Sequence, residues 1–141
     1  MLLKLSKALN LPHGLWKKIA LFGLAAFFIN FGVDHFINPD FYLLIMPPAF
    51  PMHLEAVYIS GFFEVLGGIG VLIPRLRKIA GWGLLFLLIA VYPANIYMAI
   101  TPEEFPDISI SLLYFRLVLQ FLFFYWAYSV TRPEFNPAVG H

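Results

Sequence analysis

Two charged residues sit deep inside apolar runs, where an ionisable group is costly without a partner or a water-filled cavity. Glu64 lies nine residues beyond Glu55 and Arg116 nine residues beyond Asp107. At 1.5 Å per helical residue each is about 13 Å below the same boundary, so an interhelical Glu64–Arg116 ion pair is expected. Around Glu64 the positions one turn away are Ser60, Gly61, Gly67 and Gly68. Small residues let helices approach closely, which turns Glu64 towards the interior of a bundle. Gln120 extends the polar face one turn from Arg116, Asn30 stands one turn before Asp34 and His35, and Tyr92 and Asn95 flank Pro93. Pro93 leaves the carbonyl of Ile89 without its helical donor. Every long helix thus supplies a polar group to one level. Either such a set lines a ligand cavity, with Glu64 handling a proton, or a Glu–Arg pair only locks helix register.

The elements that must carry these residues are long apolar runs at about 19–36, 56–73, 79–100 and 110–130, each sufficient to span a bilayer. The expected fold is all-α, a single transmembrane domain over 1–141 built as a four-helix bundle. A barrel would need alternating segments, whereas Leu84-Leu85-Phe86-Leu87-Leu88-Ile89 is apolar all round. Between runs one and two, His35 to Glu55 is too long for a simple turn. Asn38-Pro39-Asp40 offers an N-cap and a first-turn proline for a short interfacial or re-entrant helix stopped by Pro47-Pro48.

Charge sets the orientation. Lys4, Lys7, Lys17 and Lys18 precede the first run, Arg75, Arg77 and Lys78 fill the turn between the second and third, and Arg132 follows the fourth: eight of the nine cations lie on one side. The opposite loops hold Asp34, Asp40, Glu55, Glu103, Glu104 and Asp107 without a cation. The positive-inside rule places both termini of this multi-pass membrane protein in the cytoplasm. Trp16, Trp82 and Trp126 fall at the same inner boundary, as interfacial anchors do. No A-x-A site follows the first run, so it is expected to be retained and not cleaved as a signal peptide.

With 141 residues, 61% apolar and 12% charged, the chain has no room for a separate soluble catalytic domain. A net charge of +1 provides no field for nucleic acid. Absence of cysteine excludes disulfide exchange, thiolate metal sites and Fe–S ligation by this chain. His35 and His53 with Asp34 and Glu55 match no metal-ligand spacing, so no metal is expected, and His13 and His141 read as tail residues. Gly67-Gly68-x-Gly70 is a packing stripe, not a dinucleotide fingerprint, and the aromatic run from Phe121 to Tyr128 reads as a lipid-facing surface.

Three stretches carry a family resemblance: His35-Phe36-x-x-Pro39-x-Phe41-Tyr42 with Ile45-Met46-Pro47-Pro48, Tyr58-Ile59-Ser60-Gly61-Phe62-Phe63-Glu64-Val65-x-Gly67-Gly68, and Ala90 through Ala99. Together they resemble DoxX-like bacterial membrane proteins over about residues 20 to 130. The resemblance implies a four-helix inner-membrane protein in a family named for a small subunit associated with thiosulfate:quinone oxidoreductase, with relatives linked to quinone or thiol redox stress. It also implies His35, Glu64, Asn95 and Arg116 as site positions. On this reading a cavity in the outer half takes a quinone or other small amphiphile in support of a redox partner protein. Arg116 or Asn95 donates to a carbonyl, and Tyr58 and Tyr92 flank the ring. Asn30 and Gln120 complete the candidate set. The rivals are a membrane scaffold whose outer loop docks a partner, and a small carrier, which four helices without inverted repeats could form only as a homo-oligomer.

Overall fold

The computed structural model describes residues 14–132 and Lys4; the readings placed on Lys7, His13 and His141 lie outside the described residues. Helix α1 (Leu15–Ile37) is followed by a six-residue helix α2 (Pro39–Leu44), then α3 (His53–Gly70), α4 (Arg77–Ile100), a 3₁₀ turn (Pro102–Glu104) and α5 (Ile110–Val130). Among the described residues there is no strand. The four long helices alternate in direction. Their ends divide into a basic end (Lys17, Lys18, Arg75, Lys78) and an acidic end (Asp40, Glu55, Glu103, Glu104, Asp107).

Large apolar side chains cover the outside. Phe86, Phe121, Tyr125 and Ile79 are each about 70% exposed, a surface that water does not tolerate in so continuous a form. Helices α1, α4 and α5 are long and apolar enough to cross a membrane. The expected fourth span does not reach that standard: α3 has 18 residues, about 27 Å, and carries His53, Glu55, Ser60, Glu64 and four glycines. Of these, Ser60, Glu64 and the glycines face the interior of the bundle, so α3 trades lipid solubility for packing and polarity.

The helices pack in the order α1, α3, α4, α5 and back to α1. Glycine sets the closest crossing. A Cβ on Gly32 would come within 2.7 Å of the Gly61 carbonyl oxygen, and one on Gly61 within 2.6 Å of the His35 side chain. On the other side of α3, Gly67 seats Leu84 and Gly70 faces Ala80 of α4. Ser109 caps α5 by accepting from the Leu112 amide at 3.2 Å.

Two apolar cores result. The larger, at the basic half, joins Leu21, Leu24 and Phe28 to Val71, Leu84, Leu88, Ala127 and Val130. The smaller, at the acidic end, joins Ile45 to Met98, Phe105 and Leu113. Trp126 ties α5 to α1 by donating to the Ala20 carbonyl at 2.9 Å.

Three local expectations are corrected. Asn38 stands at the N-cap of α2 with Pro39 following, but its side chain makes no capping bond; its side-chain amide donates instead to Asp34 Oδ1 at 2.6 Å, within reach because one helical turn separates them. Helix α2 ends at Leu44, before Pro47-Pro48, because Ile45 leaves the helix to enter the smaller core. Arg77 and Arg132, expected in the turn between the second and third runs and after the fourth, lie at helix ends and are buried. Arg77 Nε donates to the Val71 carbonyl at 2.7 Å and so closes the C-terminal end of α3, where a cation is favoured. Arg132 lies 4.4 Å over the Trp82 ring and donates to the Lys78 carbonyl, fastening the end of α5 to the start of α4.

Candidate functional site

Between the two cores the helices enclose a cavity of about 770 Å³, within the range of small-molecule sites. Its walls are mostly apolar: Phe27, Phe28 and Phe31 from α1, Ile59 and Phe63 from α3, Phe86, Leu87, Leu88, Ala90 and Val91 from α4, and Phe123 from α5, with Met46, Pro47 and Phe50 at the acidic end. The polar lining consists of His35, Tyr42, Ser60, Glu64, Asn95, Arg116 and Gln120.

The expected Glu64–Arg116 pair is not formed. Arg116 turns to its neighbour on α4: Nε and Nη2 donate to Asn95 Oδ1 at 3.3 and 3.2 Å. Asn95 Nδ2 donates to Gln120 Oε1 at 3.0 Å, and Gln120 Nε2 donates to the Leu88 carbonyl at 2.9 Å. Both ends of both amides are thereby used. The carbonyl that receives the Gln120 donor is that of Leu88, next to the Ile89 carbonyl that Pro93 deprives of its helical donor.

Glu64 faces the other way. Its Oε2 lies 3.4 Å from His35 Nδ1, but that nitrogen lies 2.6 Å from the Phe31 carbonyl. A carbonyl only accepts, so Nδ1 carries its hydrogen and spends it there. Glu64 Oε2 is left buried without a hydrogen bond, and so is Ser60 Oγ one turn away on the same helix face. The same logic makes His35 Nε2 the acceptor nitrogen of the neutral ring.

Tyr42 was missed as a site residue. Its ring stacks on His35 at 3.7 Å between centroids, and its hydroxyl donates to Asp34 Oδ2 at 2.7 Å. Burial first, then the hydrogen bond to Asp34, pushes the Tyr42 phenol well above its ordinary range, with the charge of Glu64 adding and that of Arg116 opposing. The Asn38-Pro39 break is the only sequence signal that the chain folds back to bring Tyr42 over His35. Ser60 was read only as a small packing residue; its place one turn from Glu64 was the available clue.

Of the eight candidate residues, His35, Glu64, Asn95, Arg116 and Gln120 meet at the cavity. The other three do not line it. Asn30 is exposed and donates to the Ala26 carbonyl of its own helix. Tyr58 lies flat against Phe36, and Tyr92 meets Phe121 edge-on. Phenylalanines take the place expected for these tyrosines, among them Phe123, which leaves the outward aromatic run to line the cavity. Among the described residues no three His, Asp or Glu side chains converge to hold a metal ion.

A family model described as a domain of unknown function, DUF8561, matches residues 24–131. The chain belongs to this family. The match covers α1 from Leu24 through the whole of α5, so it includes the cavity, the smaller core and all of the larger core's buried residues except Leu21. It overturns the DoxX-like resemblance, and the redox association that came with it falls away. The fragments that carried that resemblance are dominated by glycine, aromatic and apolar positions, which close packing of apolar helices demands of itself. Neither a curated protein nor a solved structure matches the chain.

Proposed function

We propose that this DUF8561 member is a four-span membrane protein, both termini cytoplasmic, that binds a small amphiphile in the cavity between its two cores. The observation that carries this reading is the pair of buried oxygens without a hydrogen bond, Glu64 Oε2 and Ser60 Oγ, in a mostly apolar cavity. A buried polar atom without a partner costs about 1–3 kcal/mol, and a ligand group in the cavity would recover it. Aromatic walls with a few convergent polar groups suit an amphiphile from the bilayer. The topology rests on the clustering of cations at one end and carboxylates at the other.

The Asn95–Gln120–Arg116 chain favours a second role for the remaining polar residues. Bonded from Arg116 through Asn95 and Gln120 and anchored on the Leu88 carbonyl, it acts as a structural lock between α4 and α5. The polar set therefore divides by chemistry: the amide–guanidinium half holds the helices, and the Glu64–Ser60–His35 half addresses the ligand.

Native mass spectrometry of the detergent-solubilised protein tests the reading. The wild type should retain a bound small amphiphile, and Ala90→Trp, which fills the cavity from an exposed lining position, should lose it while remaining monodisperse. Identical spectra for the two proteins would sink the proposal.

A further inference from the structure

The cavity is open sideways. Helices α3 and α4 touch through Gly67 on Leu84 and Gly70 on Ala80, beside their short connection. Towards the acidic end the residues of both helices that line the cavity are also exposed on the outside of the bundle: Ile59 is 56% exposed, Phe63 48% and Phe86 71%. On α4 the lining positions Gly83, Phe86, Leu87, Ala90 and Val91 follow helical spacing along one stripe. A Cβ built on Gly83 meets nothing within 4 Å. The gap between α3 and α4 is thus a mouth lined with apolar side chains, facing the region where acyl chains would lie.

The polar groups behind that mouth are unequal. On the α4–α5 side the polar groups bond one another: Asn95 and Gln120 each commit their amide oxygen or nitrogen to a neighbour, and Arg116 gives Nε and Nη2 to Asn95. On the α1–α3 side His35 Nε2 is an acceptor without a partner among the described residues, because Nδ1 donates to Phe31. Glu64 Oε2 and Ser60 Oγ beside it are unpartnered as well. An acceptor nitrogen calls for a donor on the ligand, and a carboxyl next to a hydroxyl is served in any protonation state by a group that both donates and accepts. That group is a hydroxyl. An ester or quinone carbonyl offers no hydrogen to His35.

Taking the amphiphile-binding reading as given, we infer that the cavity takes a single-chain lipid with a hydroxyl-bearing head, entering from the bilayer between α3 and α4. The head lies against His35, Ser60 and Glu64, and the chain leaves past Phe63 and Phe86. Arg116 Nη1, which makes no bond to Asn95, is available to an acceptor on the same head.

Tritiated 1-monooleoylglycerol binding to the purified protein, with unlabelled competitors, tests this. Saturable binding should be displaced by oleyl alcohol and at least ten-fold less well by methyl oleate, which has the same chain and no donor. Gly83→Trp, placed in open space at the mouth, should slow association at least ten-fold. Glu64→Leu should abolish binding in a protein whose thermal transition is retained. Methyl oleate competing as well as oleyl alcohol would overturn the hydroxyl assignment while leaving the cavity a binding site, and unchanged association in Gly83→Trp would overturn the route. Absence of binding by every chain tested would remove the amphiphile reading itself.

Discussion

At the level of single residues, Glu64 is positioned against stability. A buried carboxyl oxygen without a hydrogen bond is unfavourable, and its removal in favour of an apolar side chain of similar size is often neutral or stabilising. Glu64→Met is therefore expected to raise the midpoint of thermal unfolding in detergent, by a stability gain of about 1–3 kcal/mol, while losing ligand binding. The lock residue behaves oppositely. Gln120→Leu leaves Asn95 Nδ2 without its acceptor and breaks the tie to the Leu88 carbonyl, so it should cost about 1–3 kcal/mol measured in the same way. Membrane energetics made Glu64, Arg116, Asn95 and Gln120 legible in the sequence, because a polar residue in an apolar run has few explanations. Partner choice was not legible: equal depth along two helices permits a Glu64–Arg116 pair, but helix rotation turned Arg116 towards Asn95 and Glu64 towards His35.

At the level of elements, glycines on α3 do two different things. Gly61 meets α1 so closely that a Cβ would press on His35 and on the Gly32 carbonyl. Gly61→Leu should disrupt the α1–α3 crossing and destabilise the protein by about 1–3 kcal/mol, as overpacking does. By contrast Gly83→Ala on α4 meets open space, and should stabilise by about 1 kcal/mol through helix propensity alone. Chemical or thermal unfolding of the two variants side by side separates packing from propensity. Helix positions were readable to within a few residues because apolar runs, prolines and charges mark them. The fold-back of α2 over His35 was not, since one Asn-Pro break fixes that a turn occurs and not its angle. Nor were the buried states of Arg77 and Arg132, which depend on a helix end and a tryptophan ring supplied by other elements.

For the whole molecule, the charge division between the two ends predicts which loops face which compartment. The chain has no cysteine, so single cysteines introduced at Asp40 and Arg75, on either side of α3, can be labelled without background. In sealed cells an impermeant maleimide should label the cysteine at 40 and spare the one at 75; labelling of both would mean that α3 does not cross the membrane. Two cores separated by a cavity also make a division of labour. The larger core at the basic half holds the helices together, and the smaller one closes the acidic end through Ile45, so the space between them can stay open without loss of the bundle. Composition and charge made the all-helical, membrane-compatible architecture legible. A cavity at the level of the polar residues was expected, but its phenylalanine walls and sideways opening were not, because they arise from where helices fail to meet.

The most direct measurement is photo-crosslinking with a diazirine-bearing monoacylglycerol in native membranes, followed by mapping of the modified residues. Adducts should concentrate on the α3 and α4 residues that line the mouth, Ile59, Phe63, Phe86 and Ala90, and should diminish in Ala90→Trp. Adducts spread instead over outward residues such as Phe121 and Tyr125, with the mouth unlabelled, would contradict a binding cavity and leave the buried polar groups a purely structural role.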